Sequence, residues 1–351
     1  MRREAGMSVA LLLMCLVLWI SNPDFLGQSN SINTLRQISM LGIFAIGISF
    51  VIITGGIDLS IGSTIGLTGV LIAKFSSADG GFGYSLWVGI PLALGVALLV
   101  GLAQGLLITR LRLQPFIVTL GGMLLIRGVS QTIVEGGTLS LGGSPLLGLS
   151  NGGLLRVGGE PLIPYPMLIF LGVIAVATYL LHFTVYGRYV YAIGGNRDAA
   201  EYSGINVRTV ETSTYVISAG LAGVAGICYA AYIGQMSQQV GVAYEMYAIA
   251  AAVLGGCSLR GGEGTVLGVI IGSAVMRVID NGINMFQLPY TDEDSIRRIW
   301  RLDPNWTFVI IGGVILVAVI LDQVVHMVQA KRRIRRAAEI AKGASQEPAP
   351  T

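Results

Sequence analysis

Uninterrupted apolar stretches of membrane-spanning length recur along the whole of this 351-residue chain. They cover 7–20, 35–54, 62–75, 84–108, 115–134, 164–183, 210–233, 244–259, 265–286 and 306–325. A helix needs about 20 apolar residues to cross a bilayer, and lipid admits only helices and closed barrels. These stretches are continuous rather than alternating, which argues against a barrel. Charged residues make up 12% of the chain, against ~25% in soluble domains. Too little ionic surface is left to keep a soluble fold of this size dispersed. The expected fold is all-α: a polytopic integral membrane protein of about ten transmembrane helices.

The first stretch, behind Arg2 and Arg3, has the proportions of a signal peptide. No small-x-small cleavage site follows and many spans come after it, so it reads as an uncleaved first helix. Cytoplasmic loops retain Lys and Arg. With the N-terminus inside, inner segments hold Arg2, Arg3, Arg110, Arg112, Arg188, Arg197, Arg208, Arg260 and the tail's Lys331, Arg332, Arg333, Arg335, Arg336 and Lys342. Outer loops hold Arg156, Arg297, Arg298 and Arg301. Both termini are therefore expected to be cytoplasmic. A transmembrane domain over 1–328 is expected to precede a basic, disordered tail over 329–351, whose simplest use is to meet anionic headgroups. The net charge of +3 is too small and too uneven for a nucleic-acid partner. Cys15, Cys228 and Cys257 are scattered in or beside apolar runs, giving neither a disulfide framework nor metal-ligand spacing.

A weak internal repeat is visible. Gly55-Gly56-Ile57-Asp58-Leu59-Ser60-Ile61-Gly62 is similar to Gly255-Gly256-Cys257-Ser258-Leu259-Arg260-Gly261-Gly262. Each follows one apolar run and opens another. Glycine-interrupted helices at matching places in two halves point to a transport pathway; two tight turns between spans fit the residues equally. Asp58 reads either as the lining of a functional cavity or as an interfacial carboxylate capping a helix that starts near Ser60. Ser258 stands at the matching position, so the charge is not demanded twice, which favours the cap.

The loop between the sixth and seventh spans, 187–207, is the most informative segment. Asp198 to Ser203 suit a short helix, with Asn196 or Arg197-Asp198 at its start and Gly204 placed to cap its end. Held at the membrane surface, it could dock into a groove on another protein, or lie there without a partner.

Four segments together resemble the permease subunits of bacterial sugar ABC importers of the ribose, xylose and galactose type. They are the glycine motif continuing to Ser63, this loop, Leu113-Gln114-Pro115-Phe116-Ile117-Val118-Thr119-Leu120-Gly121 with Arg127-Gly128, and Asn281-Gly282-Ile283-Asn284 with 316–322. The resemblance runs over about 32–322. It implies an inner-membrane permease for a monosaccharide, worked by a separate ATP-binding subunit that carries ATP and Mg, so that this chain needs no cofactor of its own. It implies a periplasmic sugar-binding protein and a second permease copy, as homodimer or related heterodimer. It places the ATPase-coupling contact on Ala199, Ala200, Glu201 and Gly204, with Asn196 at the head. Branched-chain amino-acid permeases share a distant version of this plan and remain an alternative, as, more remotely, does an ion-coupled secondary transporter. In keeping with an external motor, no G-x-x-x-x-G-K-[ST] loop is present and the only lysines are Lys74, Lys331 and Lys342. No His/Asp/Glu cluster has catalytic or metal spacing.

Polar residues within spans are the candidates for the pathway. Arg277 and Asp280 are one helical turn apart and form a polar stripe with Asn281 and Asn284. Such a stripe could hydrogen-bond sugar hydroxyls or simply pack helix on helix. Gln104, Arg127 and Gln131 carry the same two readings. His182 and His326 read as solvated interfacial side chains. Charges interleaved around Ile296, Ile299 and Trp300 suggest a small outer amphipathic helix within 288–305, or a solvated loop.

Overall fold

The computed structural model describes residues 2–77, 81–291, 297–301, 303, 306–317, 320, 323 and 327. Thirteen helices are named here in chain order: α1 Arg2–Ser21, α2 Gln28–Ile53, α3 Ile61–Ser76, α4 Leu86–Arg110, α5 Pro115–Val134, α6 Leu147–Asn151 and α7 Tyr165–Thr178, the last running into a π-helical turn, Tyr179–Phe183. Then come α8 Val185–Gly195, α9 Arg197–Tyr202, α10 Val207–Ile233, α11 Tyr244–Leu254, α12 Val266–Met285 and α13 Trp306–Val317. The basic segment 329–351 and His326 lie outside the described residues.

Among the described residues, seven helices (α1, α2, α4, α5, α7 with its π turn, α10 and α12) are long and apolar enough to cross a membrane. The three remaining apolar stretches form the shorter helices α3, α11 and α13. At 1.5 Å per residue α3 and α11 are about 24 and 17 Å long, short of the ~30 Å hydrocarbon core. Each stands next to a glycine-marked break.

The all-α expectation needs a small correction. Among the described residues six short strands form three antiparallel pairs: β1 Thr138–Ser140 with β4 Gln235–Ser237, β2 Gly153–Val157 with β3 Glu160–Pro164, and β5 Gln287–Thr291 with β6 Arg297–Arg301. Over 287–291 and 297–301 the last pair stands where a small amphipathic helix or a solvated loop was considered. Pro289 has no N–H to give a helix, and Tyr290, Thr291, Ile299 and Trp300 are strand-forming types.

Helix α2 is the hub. Its first turns are polar, and its residues from Ser39 to Ile53 are buried without a break, as expected of a segment enclosed by other helices. Around it pack α7, α10, α11 and α12. Helix α1 is peripheral and leans on α12. Helices α4 and α10 pack together most extensively. Gly101 and Gly105 of α4 form a small-xxx-small stripe: a Cβ at Gly101 would meet the Tyr215 carbonyl, and one at Gly105 the Thr212 backbone. Such stripes let helices approach backbone to backbone where lipid offers no hydrophobic drive. Thr109 and Thr212 then share a hydroxyl hydrogen bond at 2.8 Å.

One end of the bundle gathers the start of α1, the break after α2 and the start of α12. Thr265 Oγ1 donates to the Glu4 carboxylate at 2.8 Å, and Arg260 donates to Gln323 Oε1 at 2.6 Å. Helices α8 and α9 sit at this same end.

Candidate functional site

The short helix α9 is built by its punctuation. Asn196 Oδ1 accepts from the Ala199 N–H at 2.9 Å, an N-cap. At the other end Gly204, at φ +83°, gives its N–H to Glu201 and the next residue, Ile205, gives its own to Ala200. That pair of bonds closes a Schellman cap. Ala200 turns inward and is buried, while Ala199, Glu201 and Gly204 are exposed. Arg197 is clamped to Glu211 of α10 at 2.9 Å and lies 3.7 Å from Glu201. The Glu211 hydrogen bond raises the proton affinity of that guanidinium. Sequence reasoning placed the helix one residue late and passed over Tyr202, an aromatic side chain 91% exposed at the end of α9.

The two glycine-marked breaks have the same backbone. After α2, the Gly55 N–H bonds to Ile52 O and the Gly56 N–H to Val51 O. After α11, the Gly256 N–H bonds to Val253 O and the Cys257 N–H to Ala252 O. Gly55 (φ +83°) and Gly256 (φ +88°) hold the left-handed position of each Schellman cap. The repeat is therefore real but offset by one residue: Gly55 matches Gly256, not Gly255. Gly255 is instead the close-packed residue, with the Gly268 backbone where a Cβ would stand, and Gly56 meets the Tyr215 hydroxyl in the same way. Gly62 and Gly262 do not correspond. Gly62 lies in the first turn of α3 against the Glu245 carboxylate, whereas Gly262 lies in the loop before α12 against Gly195.

Helix α8 joins these breaks to α9. Tyr191 donates to the Gly264 carbonyl at 2.7 Å, and Gly194 packs against the Ile53 carbonyl and the Gly262 N–H. Between the first break, the α4–α5 turn and α9 lies a cavity of about 430 Å³, lined among others by Thr54, Gly55, Arg112, Arg197, Asp198 and Tyr215.

Asp58 is 1% exposed, a group buried within the protein. Its Oδ1 accepts from the Ser60 N–H at 2.9 Å and the Ser60 hydroxyl at 2.7 Å, and its Oδ2 accepts from Ser218 Oγ of α10 at 2.8 Å. It thus organises the entry to α3 and ties it to α10. Ser60 Oγ also lies 3.0 Å from Gln104 Oε1, while Gln104 Nε2 has no partner. A hydroxyl has one proton, already given to Asp58; turning the Gln104 amide over makes nitrogen the donor and satisfies both groups. One turn along α3, Arg127 of α5 donates to Ser63 Oγ at 3.2 Å and to the Gly241 carbonyl at 3.0 Å. Nearby Glu245 is buried, and its Oε2 has no hydrogen-bond partner. As the acid opening an apolar run, it was open to recognition in the sequence. Ser218 carried no such signal.

Gln131 is exposed on α5. The remaining pathway candidates are elsewhere. Asn281 exchanges hydrogen bonds with Asn30 at the far end of the bundle, and Asn284 donates to the Asp280 carbonyl of its own helix. Arg277 pairs with Asp280 at 3.1 Å, donates to Tyr229 at 2.8 Å and lies over the Tyr247 ring. These groups lock α12 to α2 and α10, which is the packing alternative. The structure therefore brings together Asp58 and Gln104, with Arg127 a turn away and the exposed Gln131 one turn further along α5, and leaves Asn281 and Asn284 apart from them.

Comparison with known proteins gives a consistent result. The family model described as "Branched-chain amino acid transport system / permease component" matches residues 30–320. The chain is similar to the ribose import permease protein RbsC of Haemophilus influenzae, 37% identical over 80% of this chain and 85% of that protein. RbsC of Bacillus subtilis is 34% identical over 92% of this chain and 93% of that one. The galactose/methyl galactoside import permease protein MglC of Salmonella typhimurium is 32% identical over 91% and 94% respectively.

Proposed function

The chain belongs to the Branched-chain amino acid transport system / permease component family, and from that premise we propose that it is the membrane permease subunit of an ATP-driven importer for a monosaccharide of the ribose, xylose or galactose class. The observation that carries this reading is similarity, over most of the chain, to permeases named for ribose and galactose import. The family description names amino acids, but these relatives are named for sugars, which favours the sugar. In this reading the three shorter helices bring the crossings to ten. The α9 end of the bundle and both termini face the cytoplasm of a bacterium, and residues 329–351 form a tail beside the 1–328 permease domain.

The motor is a separate ATP-binding subunit that holds ATP and Mg. It grips Asn196, Ala199, Glu201 and Gly204 of the α9 segment, while the buried Ala200 seats that segment on the bundle. Its movement passes through α8 to the breaks at Gly55, Gly56, Gly255, Gly256 and Gly262, and Gly62 keeps the start of α3 close to α11. Sugar arrives from a periplasmic binding protein and crosses between two permease copies, since paired ATPases offer two docking grooves. Asp58, Gln104 and Arg127 stand beside that route as positioning groups.

The test is uptake of radiolabelled ribose, xylose and galactose into inverted-topology-controlled vesicles, with and without the ATPase subunit. Loss of uptake on removing the ATPase is expected. Uptake that persists and follows a proton or sodium gradient would instead assign the buried acids Asp58 and Glu245 to ion coupling, and the importer reading would fall.

A further inference from the structure

Where α4, α7 and α10 meet on the side of the bundle, two cavities run into one another. The one nearer the α9 end, of about 560 Å³, lies between the end of α4 and the first turns of α10. The other, of about 480 Å³, continues between α4, α7 and α10 as far as Phe50 of α2. Val216 and Ile217 line both. One face of α4 follows the whole run, since Leu98, Leu102, Leu106 and Arg110 recur every four residues.

The chemistry changes along that line. Every residue lining the second cavity is apolar. Gly172 of α7 leaves open space there, with nothing within 4 Å of its Cβ position. The first cavity carries Arg110 and Arg208, both exposed. Neither arginine forms an ion pair among the described residues, and no acidic side chain lines the cavity. Glu211, one turn along α10 from Arg208, is held by Arg197 instead. From Arg208 to Leu221 the run measures about 20 Å at 1.5 Å per residue, against ~15 Å for one half of the hydrocarbon core. The groove thus has the depth of one leaflet, cationic at its outer end and apolar within.

We propose that this groove binds one anionic phospholipid, with its phosphodiester between Arg110 and Arg208 and an acyl chain lying along α4 and α10 toward Phe50. The inference needs the chain to span a membrane and is independent of its cargo. Guanidiniums match phosphate oxygens with paired N–H bonds, and basic pockets between spans are suited to anionic headgroups. A headgroup that carries an ammonium finds no carboxylate here, which selects against zwitterionic lipid. A second copy of the chain fits worse: a two-fold contact sets a patch against itself and brings four unpaired guanidiniums into one interface, where they repel. A free anion leaves the apolar part of the groove unused.

The full-length chain is purified in detergent and titrated with phosphatidylglycerol, phosphatidylcholine or glycerol phosphate. Lipid retention is read by native mass spectrometry beside the unfolding temperature. Phosphatidylglycerol should be retained and should raise the unfolding temperature, with phosphatidylcholine about tenfold weaker. The double variant Arg110→Gln/Arg208→Gln should weaken phosphatidylglycerol about tenfold or more and erase the preference. Arg112→Gln, which lies at the same end but outside the groove, should change neither. Gly172→Leu fills the apolar part and should weaken both lipids while the lipid-free protein unfolds near the wild-type temperature. Should that variant fold poorly, the exposed arginines carry the test alone. Equal binding of the two lipids by the wild type overturns the proposal, as does unchanged phosphatidylglycerol binding in the double variant. Glycerol phosphate bound as tightly as phosphatidylglycerol would give the arginines to a free anion. Cross-linking of Leu102→Cys to its own copy in the membrane would give the face to a second chain. Either result also overturns it.

Discussion

The N–H of Gly262 donates to the carbonyl oxygen of Ile53 at 2.8 Å, joining the end of α2 to the loop between α11 and α12. Gly194, near the end of α8, packs on the same carbonyl, and a Cβ at Gly261 would meet both the Gly194 carbonyl oxygen and the Gly55 nitrogen at 2.9 Å. Both glycine-marked breaks and the helix leading to α9 thus touch backbone to backbone. No side-chain rotamer stands between them to absorb a displacement. Movement of α8 is therefore passed to both halves of the repeat at once.

Gly194→Val tests this junction. The added side chain has no space against Ile53 and Gly262, and forced overpacking costs about 1–3 kcal/mol. The expected outcome is a lower unfolding temperature of the solubilised protein and loss of sugar uptake. Gly195→Ala is the internal control, because nothing stands within 4 Å of its Cβ position. It should leave both measurements near wild type.

Gly204→Pro and Ala200→Phe test α9 itself. Proline locks φ near −65°, whereas Gly204 sits at +83° and gives its N–H to Glu201. Ala200 is the buried residue of the helix, so a phenyl ring must push α9 off the bundle. Both variants should still insert and reach the membrane, while uptake driven by ATP is lost. Normal uptake in both would remove α9 from the coupling path.

Much of this architecture was legible because it is local. Spans announce themselves by hydropathy, and α9 by Asn196 and Gly204, whose side-chain and backbone chemistry act within a few residues. The polar constellation was not legible. Asp58 meets Ser218 from 160 positions away, and which face of α10 turns inward there is not written in the stretch 216–233, where apolar and small residues lie on every side. For the same reason Asn281 and Gln104, alike in sequence as isolated amides within spans, fall at different ends of the bundle. The one-residue offset between the breaks escaped because a glycine doublet marks a turn without saying which glycine takes the left-handed position. At 287–301, interleaved charges outweighed the proline in the helix reading, although Pro289 was there to be weighed.

Asp58→Asn and Asp58→Ala separate a positioning role from a demand for charge. Asparagine keeps Oδ1 for the Ser60 N–H, and the Ser218 hydroxyl can turn to accept from the new amide. Alanine strands the buried donors of Ser60 and Ser218, at about 1–3 kcal/mol for each unsatisfied group. The unfolding temperature should fall clearly in Asp58→Ala and little in Asp58→Asn, with uptake following the same order. Equal loss of uptake in both variants, with Asp58→Asn fully stable, would show that the negative charge itself is used.

Tyr202→Ala addresses the surface that α9 presents. The side chain is 91% exposed, so its removal should shift stability by no more than about 0.5 kcal/mol. Large aromatic side chains left in water at the tip of a capped helix are the type that anchors protein interfaces, where truncation commonly costs about 2 kcal/mol or more. The expected result is an unchanged unfolding temperature together with weaker retention of the ATPase subunit during purification and a matching fall in uptake. Tyr202→Phe, which keeps the ring, should retain the subunit. If Tyr202→Ala binds the ATPase as wild type does, the anchor lies elsewhere on α9, and Glu201, beside it and also exposed, becomes the residue to reverse.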